Sequence, residues 1–260
     1  MGYVKGPWKF TGKIGGMVFS DTPHGTSAIE YTRLSKRRLK GPEFARSQEM
    51  STEFGGASAL AKSLYSTLKK YGDVFRLRMW NDLQEETLRV LCDDKTGVKG
   101  KRCADFLTNG ETVLNFDMGF QSLDSILRFP YEAIIAEDRK KVSCLIPYSP
   151  YIKITGHGGE ATAYKIFMTA TVIPKLVLGK SKKYEPAGTL QKPVFYFTET
   201  FILEMDSAGI PEMELDIELE NAPEATDAIV VCLGIGLFKT KIGSHTFVEN
   251  KGGLKLIKIG

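Results

Sequence analysis

The sequence predicts a mainly β protein of the α+β class, in which an N-terminal β-hairpin and a helical hairpin precede an antiparallel β-sandwich. Hydrophobic residues recur every three or four positions between residues 50 and 91, which is the helical period. From about residue 95 they recur at every second position, and turn sequences such as GHGGE, DSAGIP and NKGG separate many short segments. We therefore divide the chain into a hairpin arm with a basic connector (1–40), a helical hairpin (41–93) and a β-sandwich domain (94–260).

The first element is a predicted β-hairpin between residues 14 and 35. Residues 14–20 and 27–34 are rich in β-forming side chains, and the sequence DTPHGT between them has the composition of a turn. Gly15 and Gly16 indicate a bend or a close backbone contact within the first of these strands.

The next elements are two predicted helices. Pro42 and Glu43 suit a helix start, because a proline there loses no intrahelical hydrogen bond and an acid favours the positive end of the helix dipole. Gly55 and Gly56 interrupt the first apolar stripe, and Gly72 marks a turn before the second, so we expect an antiparallel pair. The first stripe comprises Met50, Phe54, Ala57, Leu60, Ala61, Leu64 and Leu68, and the second Val74, Leu77, Met79, Trp80, Leu83, Leu88 and Leu91.

The rest of the chain is predicted to form short strands. The clearest is MELDIELE at 213–220, whose alternation predicts a buried apolar face and an exposed acidic face. Residues 164–172 alternate apolar side chains with more polar ones, and one face of 194–205 is predicted to be shared by Phe195, Phe197, Phe201, Leu203 and Met205. Further strands are predicted at 113–118, 142–146, 152–155, 229–239 and 254–259.

The bulk composition limits the classes of partner. Of 260 residues, 42% are hydrophobic, enough for a sizeable core, and a net charge of +4 does not by itself indicate nucleic acid or an anionic membrane. The N-terminus shows no signal peptide, and the longest apolar run, at 228–238, is too short to cross a bilayer. We expect no membrane insertion, and a cytoplasmic protein or one associated with a virion or other assembly after release.

Residues that carry catalytic chemistry form no recognisable motif. The four cysteines are widely spaced and predict free thiols, and none of the three histidines, His24, His157 and His245, is paired at metal-ligand spacing. His157 lies among glycines that would let a ligand approach, but a hairpin loop explains those glycines equally well. Gly234 and Gly236 in an apolar strand predict a kink or a tight packing point. We predict no catalytic residue, cofactor or metal, and a protein that is not an enzyme.

Two oppositely charged segments are the candidate interaction residues. A basic arm could dock on an acidic face of a neighbouring copy, or could contact phosphates; either segment could also be a solvated surface. Few aromatic side chains accompany the basic residues, which disfavours stacking on single-stranded nucleic acid. The basic residues are Arg33, Lys36, Arg37, Arg38, Lys40 and Arg46, and the acidic ones are Glu214, Asp216, Glu218 and Glu220.

The first 70 residues resemble uncharacterised proteins of Bacteroidota bacteria and their phages. In those proteins a hairpin of the form GxxGN-hydrophobic precedes a basic segment and a helix with the pattern R-x-N-x-x-E-F-G. The matching residues here are GKIGGMVF at 12–19, FARSQE at 44–49 and EFGGA at 53–57. Gly16 stands where asparagine is common, and Glu49 and Met50 replace the usual asparagine pair. The resemblance implies a lineage and no site residues.

The function predicted from these features is that of a non-catalytic structural or scaffold subunit. It would act through protein–protein contacts with copies of itself or with other proteins of a phage-like or secretion-type assembly. One alternative is a nucleic-acid-binding accessory protein that uses residues 33–46. A second is a ligand- or carbohydrate-binding β-sandwich, for which the candidate aromatic side chains are Trp8, Trp80, Tyr148, Tyr151 and Tyr184.

Overall fold

A computed structural model describes residues 2–4, 11–22, 25–30, 41–74, 79–150, 154, 159–205, 209–241 and 244–260. The fold is mainly β with helices, as the sequence predicts. The backbone divides into two compact units, residues 1–48 and residues 49–260, so that both long helices lie mostly or wholly in the second unit together with every later strand.

The first unit contains a four-stranded antiparallel sheet in the order β1-β4-β3-β2. The predicted hairpin corresponds to β3 and β4, but its first strand is shorter than expected. Gly15, at a φ of 59°, and Gly16 form a tight turn, so Ile14 ends one strand and Met17, its paired residue, begins the next. Residues 31–34 of the predicted hairpin lie outside the described residues. The strands are β1 (Gly2–Val4), β2 (Gly12–Ile14), β3 (Met17–Thr22) and β4 (Gly25–Glu30).

Two long helices form the antiparallel pair that the apolar stripes predict. A 3-10 helix (Pro42–Phe44) leads into α1 (Ala45–Leu68), and a second 3-10 helix (Lys69–Val74) precedes α2 (Met79–Cys92). The Tyr65 and Trp80 rings meet edge to face at one end of the pair, and at the other the Thr87 hydroxyl donates to the Ala57 carbonyl at 3.0 Å. Met50 and Phe54, the first two residues of the predicted stripe, are exposed instead.

The strands of the second unit form three sheets. The largest has six strands in the order β10-β7-β13-β14, with β11 also paired to β7 and β15 to β13; β12-β6-β5 form a three-stranded sheet and β8-β9 a ribbon. All these pairings are antiparallel. The strands are β5 (Glu132–Ile135), β6 (Lys141–Ile146), β7 (Ala163–Ile173), β8 (Leu176–Leu178), β9 (Tyr184–Pro186), β10 (Val194–Glu199), β11 (Leu203–Glu204), β12 (Met213–Glu218), β13 (Ala228–Lys241), β14 (Ser244–Phe247) and β15 (Gly253–Ile259).

The six-stranded sheet lies between the helices and the three-stranded sheet, which gives three layers and two cores. One core packs α1 and α2 residues against Phe167, Val230 and Leu256, and the other packs β12 and β6 against the opposite sheet face. The strand predicted at 164–172 is part of β7. It is buried on both faces, because the helices cover the side that carries Thr169 and Thr171.

Close packing explains two glycines of these layers. A Cβ at Gly234 would lie 2.2 Å from the Phe167 ring, so this position in β13 is the tight packing point that the sequence predicts. A Cβ at Gly56 in α1 would lie 2.5 Å from the Tyr184 ring, so the helix accepts a poor helix former to admit that aromatic side chain.

The predicted common face of residues 194–205 is divided by a change of register. Glu199 in β10 pairs with Phe167, whereas Leu203 in β11 pairs with Tyr164, a shift of one residue along β7. A one-residue shift moves every later side chain to the other face of the sheet. Phe197 therefore contacts Tyr71 on the helical side, while Leu203 joins the core on the opposite side.

The prediction of a strand at 113–118 is also wrong. Val113, the first residue of this segment, is the last residue of a 3-10 helix (Gly110–Val113). Asn115 has a positive φ of 69°, which is not the backbone conformation of a β-strand. The backbone then pairs with β15 through isolated bridges and single hydrogen bonds, such as the Met118 N–H to the Leu254 carbonyl at 2.7 Å. Two one-turn helices, α3 (Phe106–Asn109) and α4 (Leu123–Ile126), flank the segment. Residues 152, 153 and 155 of another predicted strand lie outside the described residues.

Candidate interaction surface

The acidic strand predicted at 213–220 forms one side of an exposed sheet face. In β12, Leu215 and Ile217 point into the core, while Glu214, Asp216 and Glu218 point outward, as alternation requires. We call the outer side of β5, β6 and β12 the acidic sheet face. Its members are Glu132, Ile134, Lys141, Ser143, Leu145, Glu214, Asp216 and Glu218.

The register of the three strands fixes the order of charges on this face. Glu214 lies opposite Leu145, which on its other side lies opposite Glu132, so an aliphatic side chain stands between two carboxylates. In the next row Asp216 lies opposite Ser143, which is opposite Ile134. Each of these two rows thus contains one aliphatic side chain together with acidic ones or with an acidic and a hydroxyl side chain.

One ammonium group neutralises part of this charge. Lys141 Nζ lies 2.8 Å from Asp216 Oδ2, and the Ser143 hydroxyl donates to Asp216 Oδ1 at 2.7 Å. The hydrogen bonds from Lys141 and Ser143 lower the pKa of Asp216, and the bond to Asp216 raises the pKa of Lys141. Four carboxylates and one ammonium leave the members of this face with a net charge of −3.

Two aliphatic side chains on the same face are exposed to solvent. Ile134 is 52% exposed and Leu145 is 41% exposed. Because Ile134 pairs with Ser143, two residues before Leu145, the two aliphatic side chains are diagonal neighbours on adjacent strands. Neighbouring exposed aliphatic side chains beside charged ones are found on surfaces that bind another protein.

The structure describes all four of the predicted acidic residues but only one of the six predicted basic residues, Arg46. Glu220 is exposed just beyond β12, and Arg46 is exposed near the start of α1, in the first unit. The remaining basic candidates, Arg33, Lys36, Arg37, Arg38 and Lys40, lie outside the described residues. Glu214, Asp216 and Glu218 are therefore brought together on one surface, and their basic partner remains a prediction from sequence.

A second exposed feature lies at the edge of the six-stranded sheet, within the segment 194–205. Phe201, between β10 and β11, is 91% exposed. Thr200 holds the chain there: the Ile166 N–H donates to its hydroxyl at 3.1 Å, and that hydroxyl donates to the Phe201 carbonyl at 2.8 Å. β12 lies beside β10, so this edge adjoins the acidic sheet face.

A polar cavity of about 460 Å³ lies beside α3, lined among others by Asp94, Cys103, Asp105 and Lys175. Asp94 accepts hydrogen bonds from the N–H groups of Thr96, Gly97 and Cys103 and from the Thr96 hydroxyl. Burial alone would raise the pKa of Asp94, but these bonds outweigh it and lower the pKa to about 2. The carboxylate of Asp94 therefore stabilises the loop that runs from Asp94 to Cys103.

Two further charged groups of this cavity, Asp105 and Lys175, are also engaged within the chain. Asp105 caps α3 by accepting from the Leu107 N–H at 2.9 Å, and it pairs with Lys175 at 3.2 Å. Burial raises the pKa of Cys103 despite the nearby Lys175, and burial raises the pKa of Cys144 to about 12. Protonated thiols are poor nucleophiles, so neither cysteine is activated for covalent chemistry.

Of the three histidines, only His245 lies among the described residues. His245 is near Thr240, with a distance of 3.1 Å between Nδ1 and the hydroxyl, and His24 and His157 lie outside the described residues. Within the described ranges, no three His, Cys, Asp or Glu side chains are grouped to hold a metal ion. No helix among those residues is both long and apolar enough to cross a membrane.

Two of the five aromatic candidates for ligand binding pack within the chain. Trp80 contacts Tyr65 between the helices, and the Tyr184 hydroxyl donates to the Arg102 carbonyl at 2.8 Å. Tyr148 is exposed. Trp8 and Tyr151 lie outside the part of the chain that the structure describes.

These features define a three-layer α+β unit whose described surface carries an acidic sheet face beside an exposed aromatic strand edge. Comparison with protein-family models, with curated proteins and with solved structures gives no match to this chain. Its function must therefore be inferred from its own geometry and charge.

Proposed function

We propose that the protein is a non-catalytic structural subunit that assembles with copies of itself through the acidic sheet face. The observation that carries the proposal is the combination on that face of four carboxylates, one ammonium group and the exposed pair Ile134 and Leu145. A purely solvated face gains nothing from adjacent exposed aliphatic side chains, whereas a partner that covers them gains hydrophobic free energy.

The charge of the chain favours its own basic connector as the partner. Residues 31–40 contain five lysine or arginine residues and no acid, and residues 212–220 contain five acids and no base. Complementary charge patches speed association and select the partner, with a strong dependence on salt. The connector of one copy on the acidic sheet face of the next would link copies head to tail, an arrangement that forms rings or filaments.

The resemblance of the first 70 residues to Bacteroidota and phage-associated proteins supports a phage-like or secretion-type assembly as the setting. A head-to-tail contact is suited to such a role, because it repeats without limit or closes into a ring.

The first experiment measures the molar mass by size-exclusion chromatography with light scattering, at low and at moderate salt. We expect concentration-dependent association that weakens as salt rises. The triple variant Glu214→Lys, Asp216→Lys, Glu218→Lys should associate at least about tenfold more weakly. The control, Glu111→Lys, Glu160→Lys, Glu249→Lys, changes the net charge equally at exposed positions away from this face. A strictly monomeric protein, or equal loss in both variants, contradicts the proposal.

A charge exchange identifies the partner segment. Copies carrying Arg37→Glu and Arg38→Glu should fail to associate with each other, but should associate with copies in which the three β12 acids are lysines. If these mixtures remain monomeric, the connector is not the partner. If fluorescence anisotropy instead shows salt-dependent DNA binding that Arg37→Ala and Arg38→Ala abolish, the basic segment binds nucleic acid.

A further inference from the structure

The loop that joins α2 to α3 presents lysine side chains to solvent. Lys95, Lys99 and Lys101 are exposed. None of their ammonium groups is paired with an acid of the described residues. Val98, which lies among them, is 74% exposed. This loop therefore combines positive charge with an apolar side chain.

The acids near this loop face inward and hold its backbone. The Gly100 N–H donates to Glu53 Oε1 at 2.8 Å, and Asp94 accepts from the N–H groups of three other loop residues. Both carboxylates are buried, and the neighbouring Glu49 and Asp93 are half-buried. The lysines are therefore the exposed charges of a loop whose backbone is fixed, which lowers the entropy lost on binding.

The exposed apolar residues of α1 lie beside this loop. A Cβ at Gly100 would lie 3.2 Å from the Glu49 Cα, so the loop touches the first turns of the helix. Met50 follows Glu49 and Phe54 follows Glu53, each about 100° further around the helix. Met50 is 64% exposed and Phe54 is 50% exposed. We call this the basic loop surface, and its members are Met50, Phe54, Lys95, Val98, Lys99 and Lys101.

The basic loop surface and the acidic sheet face lie on opposite sides of the second unit. The buried residues of α1 pack against one side of the six-stranded sheet, so its exposed residues face away from that sheet. The acidic sheet face is the outer side of the three-stranded sheet, which packs against the other side. One copy therefore cannot bring its own two surfaces together, whereas two copies can.

The two surfaces are complementary in charge and in apolar content. Asp216 is paired with Lys141, and the other three carboxylates of the acidic sheet face have no ion pair with a described residue. Three lysines can thus meet three carboxylates, and exposed apolar side chains are present on both surfaces. Either surface placed against itself would bring like charges together, which is unfavourable. The apolar side chains favour a protein over a phosphate backbone as the partner.

The size of a stable interface requires such a folded surface. Each partner typically contributes about 20 to 30 residues. The connector at 31–40 contributes ten residues. A contact made by the connector alone would therefore be small, and would leave part of the acidic sheet face without a partner.

We infer that the basic loop surface of one copy docks on the acidic sheet face of the next, with Val98 packing against Ile134 and Leu145. The inference rests on the proposed self-assembly and names a folded surface that shares the contact with the connector. Because the two surfaces lie on opposite sides of the unit, repetition of this contact would stack copies head to tail.

Charge exchange tests which surfaces meet. The loop variant is Lys95→Glu, Lys99→Glu and Lys101→Glu, and the β12 variant is Glu214→Lys, Asp216→Lys and Glu218→Lys. Light scattering at low salt should show association at least about tenfold weaker for either variant alone, and restored association when the two are mixed. The control, with exposed lysines outside both long helices and residues 93–103, should associate normally: Lys192→Glu, Lys239→Glu and Lys241→Glu.

The outcomes separate this inference from the proposed function. If the loop variant associates normally while the β12 variant does not, the inference is wrong and the proposed function stands. If mixing the two variants does not restore association, the loop does not meet the acidic sheet face. If the loop variant loses salt-dependent DNA binding instead of self-association, the loop binds nucleic acid and the inference is wrong. If the unmodified protein does not associate, both fall.

Disulfide cross-linking tests the central contact. In a Cys92→Ser background, which removes the exposed native thiol, copies carrying Val98→Cys are mixed with copies of a different length carrying Leu145→Cys. We expect a mixed disulfide dimer. Val98→Cys mixed with Glu249→Cys, at another exposed position, should give little. No dimer above this control, or a disulfide within one chain of the double variant, would overturn the inference.

The double variant Met50→Gln, Val98→Ser measures the apolar part of the contact. Both side chains are more than half exposed, so we expect an unchanged melting temperature and association about fivefold weaker. This loss should persist at moderate salt, whereas the loss in the loop variant should shrink, because salt screens charge. Normal association of the double variant would contradict the packing of Val98 against Ile134 and Leu145.

Discussion

The two edges of the six-stranded sheet, at β15 and at β10, differ in whether another described segment of the chain forms hydrogen bonds with them. On the β15 side, the chain covers its own edge: the Asn115 N–H donates to the Leu256 carbonyl at 2.9 Å, and the Leu256 N–H donates to the Phe116 carbonyl at 3.0 Å. On the β10 side, no described segment pairs with the strand, and Phe201 projects into solvent. Among the described residues, a segment of the chain therefore covers the β15 edge, whereas none forms a strand beside β10.

An ion pair also stabilises the β15 edge, which we call the closed edge because residues 115–121 cover it. Lys255 in β15 is buried, and its Nζ lies 2.6 Å from Oδ2 of Asp124 in α4. A buried lysine is stable only with a partner, so this ion pair holds α4 against the strand. At the open edge the nearest comparable pair, Lys165 and Glu199 at 3.2 Å, is partly exposed and so contributes little to stability.

The largest expected effect comes from breaking the closed edge. In Gly119→Ala, the new Cβ would lie 2.5 Å from the Leu254 nitrogen and 2.6 Å from the Gly253 Cα, both in the backbone. We expect the free energy of unfolding to fall by about 3 kcal/mol, because neither backbone can yield without losing hydrogen bonds. Urea denaturation measures this. The matched variant Gly55→Ala, which meets nothing within 4 Å in α1, should instead gain about 1 kcal/mol.

A smaller effect is expected from the ion pair that seals this edge. Asp124→Ala leaves Lys255 buried without its carboxylate and should cost about 2 kcal/mol, whereas Lys255→Met keeps the packing and should cost less. Burial would raise the pKa of Asp124, but bonds from Lys255 and Tyr131 outweigh it and lower the pKa below 3.8.

The direction of this shift predicts how the closed edge responds to pH. A lowered carboxyl pKa stabilises the fold above the ordinary pKa, and the contribution is lost as pH falls through the folded-state value. The difference between Asp124→Ala and the unmodified protein should therefore shrink below about pH 4. A difference that stays constant down to pH 2 would show that the ion pair does not seal the edge.

The smallest effect concerns the open edge. Thr200→Val removes the hydroxyl that accepts from Ile166 and donates to Phe201, and should cost about 1 kcal/mol. Thr200→Ser keeps the hydroxyl and should cost less. Urea denaturation measures both variants. If the hydroxyl fixes the change of register between β10 and β11, amide hydrogen exchange at residues 200–203 should be faster in Thr200→Val than in Thr200→Ser. Equal behaviour of the two variants would mean that backbone pairing alone sets this register.

The fold class and the acidic side of the candidate surface could be predicted because they follow from local patterns. Glu214, Asp216 and Glu218 alternate with buried aliphatic residues, and a row of carboxylates cannot be buried without partners. The apolar half of the surface was missed, because Ile134 and Leu145 lie in short strands whose outer face is known only once their pairing is known. The register with β12 then places them among the acids.

The sequence by itself determined where helical and strand periods occur, that α1 and α2 form a pair, and that β12 exposes its acids, since each depends on side chains a few residues apart. Only the tertiary structure decided that β7 is buried on both faces, that Phe201 leaves the core, and that residues 115–121 close the β15 edge. Each of these depends on pairing between segments distant in the chain. A shift of one residue in such pairing exchanges the two faces of a strand without altering its pattern.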